Sequence, residues 1–164
     1  MGAALIVPAS AEGDAAMVEM LLSQGARVDV RDKGFTPLLA AAQRGHKEVC
    51  ELLLANGSDI EEKHPGTLDN ALQFAAAHGN QSLLELLLFH KADANSRNRL
   101  GFTPLHTASH GGHLASVMAL LQAGADPLLP AVDFALPIHT AAALNHIEVV
   151  RILIEQGSCR IDQV

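Results

Sequence analysis

Apolar residues recur along this chain in short bursts of one kind. Val49-Cys50-Leu53-Leu54, Leu83-Leu84-Leu87-Leu88, Val117-Leu120-Leu121 and Val149-Val150-Leu153-Ile154 each follow i, i+3, i+4 spacing. That spacing lays a stripe along one face of an α-helix. A shorter segment such as Pro104 to His110, which carries small residues like Ala108, precedes each burst. It predicts a second kind of helix, whose small side chains let neighbouring helices approach closely. The pattern predicts an all-α chain built of helix pairs.

The punctuation between the segments is periodic. Gly13-Asp14, Gly45-His46, Gly79-Asn80, Gly112-His113 and Asn145-His146 stand 32, 34, 33 and 33 residues apart. Gln24-Gly25-Ala26, Asn56-Gly57-Ser58, His90-Lys91-Ala92, Ala123-Gly124-Ala125 and Gln156-Gly157-Ser158 keep the same steps. Gly34-Phe35-Thr36-Pro37-Leu38 returns as Gly101-Phe102-Thr103-Pro104-Leu105-His106-Thr107-Ala108, and more loosely as Leu136-Pro137-Ile138-His139-Thr140-Ala141. Thr36 and Thr103 are suited to cap a helix, and Pro37 and Pro104 to its first position, where a missing N–H costs nothing. Gly45, Gly79 and Gly112 fit the left-handed residue that ends a helix.

A period near 33 with Thr-Pro-Leu-His-x-Ala resembles the ankyrin-repeat family over nearly the whole chain. The resemblance implies a solenoid of about five stacked helix-turn-helix repeats with β-turn fingers. The units fall at about 1–31, 32–64, 65–97, 98–130 and 131–164, forming one domain over 1–164. The first unit shows no finger, and Met1 to Pro8 is in register with a first helix. The last second helix is expected over Ile147 to Glu155, and Ile161 to Val164 would begin another finger. No polar cap follows that last helix, so both ends look cut, and the chain reads as a piece of a longer protein, or else an array capped by self-association.

Composition narrows the function. Apolar residues make up 49% of the chain, but there are five Phe and no Trp or Tyr, which suits thin layers of helices. A net charge of −7 disfavours sequence-independent nucleic-acid binding. No run of about 20 apolar residues could insert in a membrane. Of the two cysteines, Cys50 occupies the core slot that Val18, Leu84, Val117 and Val150 hold in other units, and Cys159 stands far from it. No disulfide is expected, and an intracellular setting, cytoplasm or nucleus, fits.

The resemblance implies binding on a concave face made of finger tips and first helices. Its positions here are Asp32, Lys33, Phe35, Gln43 and Arg44 in the second unit. In the third they are Gly66, Thr67, Asp69, Ala77 and His78, and in the fourth Arg99, Leu100, Phe102, His110 and Gly111. The fifth contributes Val132, Asp133, Ala135, Ala143 and Leu144. Phe35 and Phe102 are expected to be exposed at the fingers, and aromatic side chains are enriched among energetically dominant interface residues. Each could instead pack on the adjacent finger. Lys33, Arg44 and Arg99 could pair with acidic partner groups. Leu68 and Phe134 replace the finger glycine, and Pro65-Gly66 precedes Leu68, so the third finger should be built differently.

Catalytic and metal chemistry find little footing. His106 and His110 stand at i, i+4, a possible ligand pair, but the resemblance assigns His106 and His139 to bonding between neighbouring turns. His78 and His110 on adjacent first helices suggest a pH-sensitive surface sooner than a metal site. No nucleophile elbow, phosphate loop or paired CxxC occurs. Glu61-Glu62 and Glu12/Asp14 are read as solvated turn residues. The stretch Leu87 to Asn95 resembles the substrate loop of the asparagine hydroxylase that acts on ankyrin repeats, with Asn95 in the modified place. Otherwise Asn95 shapes its turn. The sequence thus predicts a non-enzymatic protein-interaction module with no cofactor or small-molecule substrate, whose partner is another protein or peptide. The alternative is an architectural spacer in a larger protein.

Overall fold

The computed structural model describes residues 5–161, with side chains as far as residue 156. Within them stand ten helices: α1 (Ile6–Glu12), α2 (Ala15–Ser23), α3 (Pro37–Arg44), α4 (Lys47–Ala55), α5 (Ala71–Ala77), α6 (Gln81–Phe89), α7 (Pro104–His110), α8 (Leu114–Gln122), α9 (Pro137–Ala143) and α10 (Ile147–Ile161). Odd-numbered helices pack in one row and even-numbered helices in a second row behind it. The core runs between the rows. Val49, Cys50, Leu53, Leu83, Leu84, Leu87, Val117, Leu120, Val149 and Leu153 are buried, as the stripes predict. Ala75 and Ala108 are fully buried on the first helices, where their size permits close stacking. Ile6 and Val7 of α1 are buried too, so the opening segment acts as a first helix. Burial pushes the Cys50 thiol up to about 12, which makes it a core filler and not a nucleophile.

Caps explain why the first helices begin where they do. The Thr36 hydroxyl accepts from the Leu39 N–H at 3.3 Å. Thr103 accepts from His106, whose ring in turn accepts from the Thr103 N–H, a reciprocal capping box. In the divergent third unit, the Asn70 side chain does the same work, accepting from the Gln73 N–H at 3.0 Å.

Gly13, Gly45, Gly79 and Gly112 are left-handed, as expected, but a second reason holds them as glycine. A Cβ on Gly79 would lie 2.5 Å from the His113 ring of the next unit. Gly13 meets His46, Gly112 meets His146 and Gly45 meets Asn80 in the same way. Each of those side chains reaches back to a carbonyl of the preceding unit. His46 Nε2 lies 3.0 Å from the Ala11 oxygen, His113 Nε2 3.2 Å from Ala77 and His146 Nε2 2.9 Å from His110. Asn80 Nδ2 donates to Gly45 at 3.1 Å. The recurring pair of residues is therefore an inter-repeat lock.

Two expectations need correction. Helix α10 does not stop at Glu155 but continues to Ile161, through Gly157. The equivalent Gly57 is left-handed and ends α4, since a loop there turns toward the next helix pair. Glycine permits that stop without compelling it, and no loop follows α10 among the described residues. Nor are Glu61 and Glu62 merely solvated. Glu61 accepts from the Asp93 N–H at 2.7 Å and from Asn70 at 3.1 Å, and Glu62 pairs with Arg31. Both acids tie one unit to another. The Cys159 side chain and the finger expected to begin near 162–164 lie outside the described residues.

Candidate binding surface

The fingers are joined edge to edge. Arg99 N donates to the Thr67 carbonyl at 2.8 Å and Val132 N to the Leu100 carbonyl at 3.0 Å. Arg31 reaches the Lys63 carbonyl at 3.3 Å, Lys63 the Arg97 carbonyl at 3.0 Å, and Arg97 the Pro130 carbonyl. This ladder of cations at the finger bases escaped the sequence reading. Its signal was a basic residue recurring at 31, 63 and 97, near the repeat period.

The fingers differ in length. In the second unit Asp32 and Phe35 exchange both backbone bonds around Lys33 and Gly34, both with positive φ. In the third, the His64 N–H reaches Asp69, one residue further than Asn98 to Phe102 or Ala131 to Ala135. The third finger is thus one residue wider, as Pro65-Gly66 suggested. Yet Leu68 keeps the left-handed conformation of the glycine it replaces, φ 61° against 75° at Gly101. Phe134 does likewise, at φ 64°. A bulky left-handed residue stores strain of roughly 1–2 kcal/mol.

Six of the sequence-predicted residues converge, Ala77 among them. Gln43, Asp69, His78, Phe102 and His110 line one groove of about 370 Å³ between the fingers and the first helices, together with Gln73, Phe74, Ala77, Asn98 and Thr107. Leu100, Phe102, Val132 and Asp133 line a second depression of about 220 Å³. Phe102 borders both. Asp32, Lys33, Phe35, Arg44 and Arg99 lie outside them. Asp32, Lys33 and Arg44 are exposed. Arg99 is committed within the protein, its guanidinium donating to the Pro65 carbonyl at 2.8 Å.

Phe35 and Phe102 are half-buried, against the exposure expected of them. The Phe35 ring packs 4.5 Å from His64 and 6.2 Å from Phe74. Phe102 stacks parallel on His106 at 5.3 Å. On the fingers, the apolar side chains that project furthest are Leu100, Val132 and Phe134, exposed by 61%, 71% and 82%. Of these, Phe134 was not among the predicted contacts, although an aromatic residue in place of the turn glycine was visible in the sequence.

His106 is fully buried. Its Nε2 donates to the Ala135 carbonyl at 3.0 Å and its Nδ1 accepts from Thr103, which fixes the neutral tautomer. Burial holds its pKa below the ordinary imidazole value, with the Ala135 bond opposing and Arg97 adding to the depression. Asn95 accepts from the Asp126 N–H at 2.7 Å and donates to the Gly124 carbonyl at 3.2 Å. Its side chain therefore braces the next loop, and a hydroxylase would have to draw it out of that contact. Among the described residues, no three His, Cys, Asp or Glu side chains gather as a metal site, and no helix is long and apolar enough to cross a membrane.

A family model described as ankyrin repeats matches residues 2–64 and 72–163. The interruption falls on the widened third finger. The ankyrin repeat and KH domain-containing protein mask-1 of Caenorhabditis elegans is 41% identical over 151 residues, 91% of this chain and 6% of its own length. Human Rabankyrin-5 is 33% identical over 123 residues, 63% of this chain and 10% of its own. The B-cell lymphoma 3 protein homolog of Mus musculus is 30% identical over 137 residues, 83% of this chain and 31% of its own. The chain thus spans less than a third of the length of each of these relatives.

Proposed function

Because the chain belongs to the ankyrin-repeat family, whose members in general bind other proteins and are generally not enzymes, we propose that its 164 residues act as one rigid docking domain for a partner protein. The contact face is the concave groove together with the finger row of the fourth and fifth units. The observation that carries this reading is Phe134. An aromatic ring held in a left-handed backbone carries backbone strain, and at 82% exposure it leaves most of its surface outside the fold. Leu100 and Val132 add two more exposed apolar side chains to the same row of fingers. Such a patch on a rigid support is the usual form of an interaction surface. The locks between repeats hold it in shape, which limits the entropy lost on binding. Asp32, Lys33, Arg44 and Asp133 form the polar rim of the face, and the partner meets them in an aqueous, intracellular setting.

Affinity capture from a cell lysate tests the reading. The parent chain would be compared with a Val132→Asp/Phe134→Asp variant and with Met20→Asp, an exposed site on α2. Loss of a specific partner with the finger variant, and retention with the α2 variant, is the expected result. Equal capture by all three would move the site elsewhere on the array, and capture of nothing specific by any of them would leave the array as an architectural spacer.

A further inference from the structure

Gln73 stands where the fourth unit has His106, and it performs the same inter-repeat task. Its Nε2 donates to the Phe102 carbonyl at 2.8 Å, as His106 Nε2 donates to Ala135 one unit later. A second bond runs from Gln73 Nε2 to the Ser96 carbonyl at 3.2 Å. The difference lies in the remaining polar atom. His106 Nδ1 accepts from Thr103, whereas Gln73 Oε1, on a side chain 2% exposed, has no hydrogen-bond partner within the protein. A buried acceptor left so carries its desolvation cost uncompensated. Gln73 lines the 370 Å³ groove.

We propose that this groove receives the guanidinium of an arginine presented by an extended segment of the partner protein. The inference rests on the reading of the concave face as a protein-binding surface and names the chemistry it selects. Four features converge on that occupant. Gln73 Oε1 is an acceptor without a donor, covered beneath the groove surface, and the side chain turns it outward to meet one. Asp69, half-buried on the groove wall, accepts from Asn98 Nδ2 at 2.9 Å and has no cationic partner among the described residues. Phe74 and Phe102 line the same space with aromatic rings. The whole chain carries a net charge of −7. A guanidinium offers five donors in a planar fork, pairs with carboxylate and stacks on aromatic faces, while an ammonium gives up its hydration less readily. His78 and His110, exposed along the groove, are its other ionisable groups.

The test is chemical-shift mapping on the full ¹⁵N-labelled chain. The probes are capped alanine pentapeptides with one central arginine, citrulline or glutamate. The arginine peptide is expected to shift the Gln73 side-chain amide and the backbone amides of Asp69 and Phe102. Citrulline, of like shape but uncharged, is expected to bind about tenfold more weakly. Gln73→His and Asp69→Asn should each weaken the arginine peptide about tenfold as well. Gln73→His places there the residue that the fourth unit uses and removes the unpaired acceptor, and its dispersed amide spectrum reports whether it is folded. The proposal is overturned by equal binding of citrulline, by preference for glutamate, by shifts mapping elsewhere, or by no saturable shift at roughly 10 mM peptide. A partner lost with Val132→Asp/Phe134→Asp but indifferent to Gln73→His and Asp69→Asn would sink the arginine site and leave the docking face standing.

Discussion

The inter-repeat lock makes a quantitative demand on two glycines that look alike in sequence. Gly57 and Gly79 are both left-handed, at φ 85° and 62°. A Cβ on Gly57 meets nothing within 4 Å, whereas one on Gly79 meets His113 Nδ1 at 2.5 Å. Gly57→Ala therefore carries backbone strain alone, about 1–2 kcal/mol. A lower unfolded-state entropy returns about 0.4–1 kcal/mol of that. Gly79→Ala carries the same strain and also displaces the His113 ring, forfeiting its bond to the Ala77 carbonyl. That bond adds about 0.5–1.5 kcal/mol, and repacking the ring about 1 kcal/mol or more. Gly79→Ala should thus cost about 2 kcal/mol more than Gly57→Ala. With a urea slope of about 2 kcal/mol per M, the unfolding midpoints should separate by about 1 M. Adding His113→Ala to Gly79→Ala should cost almost nothing further, because the lock is already broken. Equal midpoints for the two single variants, or a full additional loss in the double variant, would refute the lock.

Other consequences are simpler to read. His106 has a folded pKa below its unfolded value of about 6.5, so the unfolded chain binds the extra proton first. Its contribution to stability is complete above about pH 6.5 and is lost as the pH falls toward the depressed folded value. His106→Gln should remove that component from a series of urea midpoints between pH 8 and 5. Cys50, with its thiol pushed up to about 12, should resist a thiol reagent at pH 8 in a Cys159→Ser background and react fully once unfolded. Asn95→Ala removes both bonds to the 124–126 loop and should lower stability by about 1–2 kcal/mol in urea titration, a loss that a purely solvated side chain would not show.

What the sequence disclosed, it disclosed through local rules. Thr36 and Thr103 cap helices because a hydroxyl three residues from an N–H suffices, and the leucine stripes bury because helical spacing alone gathers them. The period then repeats these local facts down the chain. Residues whose role depends on a neighbouring unit were harder to read. His46 and His113 looked like mere followers of glycine, yet their rings fill the space that glycine leaves in the unit before. Phe35 looked exposed because its finger is a turn, but the ring folds back between His64 and Phe74. Gln73 gave no signal except that it stands in a histidine's place. Its unpaired oxygen follows from the distances to Ser96 and Phe102, both more than 20 residues away in sequence. The groove gathered Gln43, Asp69, His78, Phe102 and His110 because first helices stack in register. It omitted Arg44 and Arg99, one turned to solvent and the other bonded to Pro65.

The central claim is that the finger row gives up stability in order to bind, and Phe134→Gly tests it most directly. Glycine relieves the left-handed strain of about 1–2 kcal/mol and returns about 0.5–1 kcal/mol to the unfolded chain, for a net gain of roughly 0.5–1 kcal/mol. Urea stability and partner capture would be measured on that one variant. The account predicts a chain that is more stable and no longer retains its partner. A more stable chain that captures the partner as well as the parent would contradict it.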